Sequence, residues 1–210
     1  MTKKTYFASD FHLGIDARTT SKEREQQLVR WLDMIRQDAE ALYLVGDLFD
    51  FWFEYKTVVP KGYVRLLGKL AELRDQGIPI YFFTGNHDMW MFGYFEQEFD
   101  IPTYRKPIVK EIQGKTFFIG HGDGLGPGDY GYKFIKKVFA NPVCQFLFER
   151  LHPNFGIWLA NFWSGKSRGA NSPEARFYGP EKEWLIAYAN QKLEEIEADY
   201  FIFGHRHLPI

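Results

Sequence analysis

Asp10, His12, Asp47, Asn86, His121, His205 and His207 are the residues whose types and spacing could do chemistry in this 210-residue sequence. Carboxylate and amide oxygens with imidazole nitrogens suit divalent cations. Two cations side by side need a bridging ligand, which a two-oxygen carboxylate serves best. Asp47 is the natural bridge. Each donor follows an apolar run that stops at a small residue: YFASDFH from Tyr6, LYLVGDLFD from Leu42, IYFFTGNHD from Ile80, TFFIGHGD from Thr116 and YFIFGHRH from Tyr200. Such runs read as buried strands, and ligands of open α/β sheets bind outside the carboxyl ends of the strands. Five strand tips along one edge would therefore converge on one site. A lone histidine is more commonly structural. Here, however, five of the six histidines lie in these motifs, and only His152, before Pro153, reads as a plain loop residue.

The elements that must position these donors follow from the periodicity. Residues 5–9 form the first strand. Thr20 with Glu23 resembles a capping box, and Leu28, Trp31, Leu32 and Ile35 recur at helical spacing after it. The second strand ends at Asp47, and the aromatic stretch from Phe49 to Tyr55 reads as a loop beside the site. A second helix runs from about Gly62 to Asp75, with Leu66, Leu70 and Leu73 on one face and Gly77 as its C-terminal cap. Ile78 to Thr84 forms the third strand. Ile108–Ile112 and Lys115–Ile119 flank Gln113-Gly114 as a hairpin. A last helix begins near Pro180, with Ile186, Ala189, Leu193 and Ile196 at helical spacing, and leads into Tyr200–Phe203. Alternating strands and helices followed by paired strands predict two sheets packed between helices.

Composition narrows the function classes. A formal net charge of −1 provides no global basic field, so nucleic acid is not an expected partner. Cys144 is the only cysteine, which excludes a disulfide framework and a cysteine zinc cluster. No signal-peptide pattern opens the sequence and no apolar stretch approaches spanning length, so a cytoplasmic, soluble chain is expected. With 45% hydrophobic residues, one well-buried domain over residues 1–210 is expected.

Asp10-Phe11-His12, Gly46-Asp47, Gly85-Asn86-His87-Asp88, His121 and Gly204-His205-Arg206-His207 together resemble the ordered motifs of the calcineurin-like metallophosphoesterases. The resemblance covers nearly the whole chain. It implies an α/β fold, a four-layer α/β/β/α sandwich, with one metal held by Asp10, His12, Asp47 and His207 and another by Asp47, Asn86, His121 and His205. Two divalent ions would activate a shared water for attack on phosphorus. Nitrogen and oxygen donors without thiolate favour Mn2+, with Fe or Zn as alternatives. His87 could donate to transition-state oxygens or protonate the leaving group, or else orient Asp47 or a water. Asp88 reads as support for a ligating histidine.

Residues 127–178 read as an inserted helical cap rich in aromatics, among them Tyr130, Phe134, Phe146, Trp158 and Phe162, with Lys133, Lys136, Lys137 and Arg150 interspersed. A greasy inner face with a basic outer face would suit a lipid-phosphate substrate approached from an anionic membrane surface. Equally, the aromatics could form the cap's own core. The cap's position is similar to that in the lipid A pathway subgroup, which hydrolyses UDP-2,3-diacylglucosamine to UMP and 2,3-diacylglucosamine 1-phosphate. That similarity implies a lipid-linked nucleotide substrate, action at the cytoplasmic face of the inner membrane, and substrate contacts from Asp129, Tyr132, Lys166, Ser167, Arg168 and Asn171. The subgroup often has Arg where this sequence has His87. A general phosphodiesterase or phosphatase acting on a soluble nucleotide or phosphoprotein therefore stays open, as does a catalytically silent binding module. The family usually continues with further strands after the last histidine motif, so C-terminal strands beyond Ile210 are expected.

Overall fold

The computed structural model describes residues 2–128, 130–171, 177 and 179–208, except for the side chains of 163–171. Four parallel strands, β1 (Lys4–Ala8), β2 (Ala39–Val45), β3 (Ile80–Phe83) and β4 (Thr103–Tyr104), lie in the order β1-β2-β3-β4. Three more, β5 (Ile108–Ile112), β6 (Lys115–Ile119) and β7 (Tyr200–Ile202), form a second sheet in which β5 and β6 are antiparallel and β7 runs parallel to β6.

Side chains on a strand alternate between faces, and that period assigns the layers. Leu42 and Leu44 of β2, with Ile80 and Phe82 of β3, pack on Leu28, Leu32 and Ile35 of α1 (Ser21–Ile35) and on Leu66, Leu70 and Leu73 of α2 (Val64–Asp75). The intervening Ala41, Tyr43, Val45 and Phe83 meet Ile119, Phe117, Ile108 and Ile202 of the second sheet. The far face of that sheet turns Phe118 toward Tyr188 of α7 (Trp184–Leu193). Helices, sheet, sheet and helix follow in that order, which is the expected four-layer sandwich.

Local signals set the element ends. Thr20 and Glu23 form both arms of the capping box of α1. Gly77, at φ +81, follows α2 in the left-handed conformation, and its N–H reaches the carbonyl of Arg74 at 2.8 Å. Helix α7 begins at Trp184 rather than near Pro180. The N–H groups of Lys182 and Glu183 both turn back to the carbonyl of Gly179, so Pro180 lies in a turn and Glu183 is the N-cap. Ile196 lies beyond the helix. A short helix, α3 (Tyr94–Phe99), and β4 were not foreseen; Phe95 of α3 is fully buried against Phe49, Trp52 and Phe82.

Between β6 and α7 the chain forms α4 (Tyr130–Phe139), α5 (Pro142–Glu149) and α6 (Pro153–Asn171). Phe139, Phe148, Ile157 and Ala160 pack on Phe51, Phe53 and Trp90 of the body. Tyr130, Phe134, Phe146, Leu147, Phe155, Trp158 and Phe162 stay exposed. The aromatics thus divide between a seam against the body and an outward apolar face. Among the described side chains they do not close into a core of the three helices alone.

Candidate metal centre

Loops at the strand ends clasp one another through their backbones. Asp10 N–H donates to the carbonyl of Gly46 at 3.1 Å and His12 N–H to that of Asp47 at 3.0 Å, which joins the loops after β1 and β2. Gly204 N–H donates to the carbonyl of His121 at 2.9 Å, joining the loops after β6 and β7. His205 N–H reaches both Asp10 carboxylate oxygens, at 3.0 and 3.1 Å, and so ties the two sheets' loops together. Two glycines make room for this convergence. A Cβ on Gly46, at φ +86, would lie 2.4 Å from His121 Nδ1, and one on Gly85 would lie 2.1 Å from Asp47 Oδ1.

All seven predicted donors are brought together. His121 Nε2 is 3.2 Å from Asp47 Oδ2 and 3.3 Å from Asn86 Oδ1, and His205 Nδ1 is 2.8 Å from the same amide oxygen. On the other side, His12 Nε2 is 3.1 Å from His207 Nε2, 3.9 Å from Asp47 Oδ2 and 4.0 Å from Asp10 Oδ1, and His207 Nε2 is 3.4 Å from Asp10 Oδ1. Asp47 belongs to both halves. Asp10–His12–His207, His12–Asp47–His87 and Asp47–His121–His205 each place three possible ligand atoms within 4.8 Å of one another. Asp10, His12, Asp47, His205 and His207 all take positive φ, from 45° to 69°. Each such non-glycine residue costs on the order of 1 kcal/mol, and strain of this kind gathers at functional sites.

Burial and mutual charge set the protonation. Burial pushes the His121 imidazole down, but the Asp47 carboxylate, by charge and hydrogen bond, more than reverses this and raises it to about 10. Burial likewise opposes ionisation of Asp47, yet the His121 charge holds it well below the usual carboxylate range. His12 is pushed down to about 4 by burial, and burial also lowers His205. A hydrogen bond that His207 donates to the Asp10 carboxylate raises that imidazole. His121 Nδ1 lies 2.8 Å from the carbonyl of Val45; a carbonyl only accepts, so Nδ1 carries hydrogen and Nε2 is the nitrogen turned to Asp47 and Asn86.

This donor set fits divalent cations. Two imidazole nitrogens 3.1 Å apart, His12 Nε2 and His207 Nε2, can share at most one proton between them, and the buried Nδ1 of His12 has no hydrogen-bond partner. Oxygen and nitrogen donors converging with lone pairs inward form a cation cage.

A family profile described as calcineurin-like phosphoesterase matches residues 3–209. This chain belongs to the calcineurin-like phosphoesterases. Among its relatives, the UDP-2,3-diacylglucosamine hydrolase of Porphyromonas gingivalis is 40% identical over an alignment that covers 99% of this chain and 84% of the relative. The enzymes of the same name from Shigella dysenteriae and Aeromonas salmonicida are 29% and 28% identical, each over 98% of this chain and over 82% and 78% of the relative. This phosphoesterase is accordingly a hydrolase of phosphoester or phosphoanhydride bonds, and divalent metal ions belong to its chemistry.

Sequence reasoning missed two supports of the phosphoesterase site and misplaced a third. Asp50, 3% exposed, puts Oδ1 3.7 Å from His12 Nδ1 and 3.6 Å from His87 Nδ1, while its carbonyl lies 2.9 Å from His87 Nδ1. The second acid of Gly-Asp-Leu-Phe-Asp was the available signal. Arg24, on the first turn of α1, donates to the carbonyls of Phe11, His12, Ile15 and Thr19, fixing the loop that carries Asp10 and His12. No local pattern announces that contact. Asp88, fully buried, accepts from the N–H groups of Gly85, Asp47, Leu48 and Phe49 rather than from a ligating histidine. Burial and the Asp47 charge raise its carboxyl to about 7.

Of the expected substrate contacts, Tyr132 stands near the cluster, its ring 6.2 Å from that of His205, with its hydroxyl donating to Asp123 at 2.5 Å. Lys136 pairs with the same carboxylate at 2.6 Å. Asp129 lies outside the described residues. Lys166, Ser167, Arg168 and Asn171 fall on α6, where the side chains lie outside them.

Proposed function

We propose that this phosphoesterase cleaves UDP-2,3-diacylglucosamine to UMP and 2,3-diacylglucosamine 1-phosphate, the lipid A pathway reaction, with two divalent ions, preferentially Mn2+. The observation that carries the reading is the 40% identity to the Porphyromonas hydrolase across 99% of the chain, cap region included. Asp10, His12, Asp47 and His207 would hold one ion, and Asp47, Asn86, His121 and His205 the other. Ions held there supply Lewis acidity to the diphosphate and to the attacking water. The buried, charge-paired Asp47 keeps its carboxylate ionised between the two halves. His87 Nδ1 faces the carbonyl of Asp50 at 2.9 Å, which fixes the ring, and the imidazole would donate to the departing phosphate oxygen. Asp129, Tyr132, Lys166, Ser167, Arg168 and Asn171 would contact the nucleotide-linked lipid from residues 127–178, which act as a cap on the single domain of residues 1–210.

The exposed apolar strips of α4, α5 and α6 support approach to an anionic membrane from the cytoplasmic side. Lys133 lies 5.7 Å from the centre of the Tyr130 ring and Arg150 4.1 Å from that of Phe146, so cations flank outward aromatics. Among the described residues no helix is long and apolar enough to cross a membrane. The association would be peripheral.

The test is Mn2+-dependent hydrolysis of UDP-2,3-diacylglucosamine beside a small chromogenic phosphodiester, with Asp47→Ala as control. Release of UMP that is lost in the control and far exceeds turnover of the small ester is expected. Turnover of the small ester alone would discard the lipid substrate. It would favour a phosphodiesterase of soluble nucleotides, to which His87 in place of the subgroup's usual Arg also points.

A further inference from the structure

Arg206 sits between the two histidines of the last motif and turns away from the donor cluster. Its Nε and Nη2 donate to Glu183 Oε2 and Oε1 at 3.1 and 3.0 Å, a two-pronged pair, and its guanidinium lies 4.6 Å from the centre of the Trp184 ring. The acceptor side chain is 2% exposed and the arginine side chain 16%, so solvent competes little for the pair. Glu183 is the N-cap of α7, anchored by its N–H to Gly179 and by its carbonyl, which accepts from Ala187. On either side of Arg206 the backbone is left-handed, at φ +69 for His205 and φ +52 for His207. A loop with two such residues around one arginine needs an external hold.

The neighbourhood extends that hold to the cap. A Cβ on Gly126 would lie 2.6 Å from the Trp184 carbonyl, and the Gly126 carbonyl accepts from Lys133 of α4 at 2.5 Å. The His205–His207 loop, the start of α7 and the root of α4 therefore share one packed junction.

We propose that Arg206 and Glu183 are positioning residues of the metal centre: their ion pair clamps the loop so that His205 and His207 reach opposite halves of the donor cluster together. Neither residue is one of the seven donors, so the clamp would act through His205 and His207 whatever the substrate is. Partners that orient metal ligands typically change affinity by about 10–100-fold when removed.

The experiment is a Mn2+ titration of metal-stripped, full-length protein, followed by electron paramagnetic resonance of free and spin-coupled Mn2+. The variants are Arg206→Gln, Arg206→Lys and Glu183→Gln, each checked by circular dichroism before metal is added. The expected result is a folded protein whose Mn2+ affinity falls at least about tenfold and whose spin-coupled signal weakens, with Arg206→Lys recovering part of the loss. Affinity and signal within twofold of the parent in folded variants would overturn the proposal. Loss of fold in all three would overturn it as well, since the pair would then serve the fold and not the ligands.

Discussion

Loading metal onto this phosphoesterase must displace a proton from His121. The perturbation is pH. Without metal, Asp47 Oδ2 stands 3.2 Å from His121 Nε2 and holds that imidazole protonated up to about 10, against its burial. A metal ligand must be deprotonated, so between pH 7 and pH 8.5 the competent form of His121 becomes about tenfold more available per pH unit. Apparent affinity at the half of the site containing His121 should therefore rise about thirtyfold over that range, or about 2 kcal/mol at 1.36 kcal/mol per tenfold. His12, pushed down to about 4 by burial, is neutral at pH 7 and releases nothing; burial also lowers His205, while Asp10 raises His207, so of the two His207 is the one that adds to the release. Calorimetric titration of metal-stripped protein in two buffers of different ionisation enthalpy counts the protons directly. One proton or more released per pair of ions, with the stated pH slope, is the expected result. An affinity flat from pH 7 to 8.5 with no proton released would refute the assignment of charge to the Asp47–His121 pair. As a cross-check, Asp47→Asn removes the largest opposing charge and leaves only the more distant Asp123 and Asp10 to counter burial, so the His121 resonance of the metal-free variant should titrate well below about 10.

Two further substitutions test the scaffold around the pair. Gly85→Ala would set a Cβ 2.1 Å from Asp47 Oδ1 and 2.7 Å from its backbone nitrogen, so the bridging carboxylate must move. Overpacking costs roughly 1–3 kcal/mol, and the larger effect should be loss of Mn2+ binding; a variant that binds metal like the parent would contradict the close approach. Trp52, fully buried against Phe49, Tyr63, Tyr94 and Phe95, anchors the aromatic loop after β2, so Trp52→Ala should cost about 3–5 kcal/mol in urea unfolding. A cost below about 1 kcal/mol would mean that this loop is not part of the core.

The strand ends were legible because the information is local. An apolar run, the glycine or other small residue that stops it and the donor that follows lie within nine residues of one another; β3, β5, β6 and β7 all fall within the predicted runs, and β2 begins three residues before its run at Leu42. The capping box at Thr20 was legible for the same reason. What could not be read depends on partners far along the chain. Arg24 reaches carbonyls in the loop after β1, Asp50 needs His12 and His87 beside it, and Glu183 finds Arg206 twenty-three residues away. Helix α3 and strand β4, six and two residues long, are too short to carry a period. In the cap, amphipathic spacing marks an apolar face but not what covers it. Phe139 and Phe148 therefore read no differently from Phe134 and Phe162, although the first pair is packed on the body and the second pair is exposed.

The same distinction explains why the cluster is convincing as chemistry. A cluster held only for stability would relax its backbone and keep like groups apart. Here Asp10 and Asp47 share a pocket with four imidazoles, two of whose nitrogens meet at 3.1 Å, and five donors occupy left-handed backbone. The compensation lies outside the cluster. Asp88 takes four backbone N–H groups from the turns around Asp47, Arg24 binds four carbonyls of the Asp10–His12 loop, and Asp10 accepts the His205 N–H across the two sheets. These contacts fix the turns while the donors keep their lone pairs directed inward. Strain and like-with-like contacts that persist because the surroundings over-determine them mark a preorganised site. Of these approaches the His12–His207 contact at 3.1 Å is the unfavourable one, and those two imidazoles are among the residues that would hold a cation.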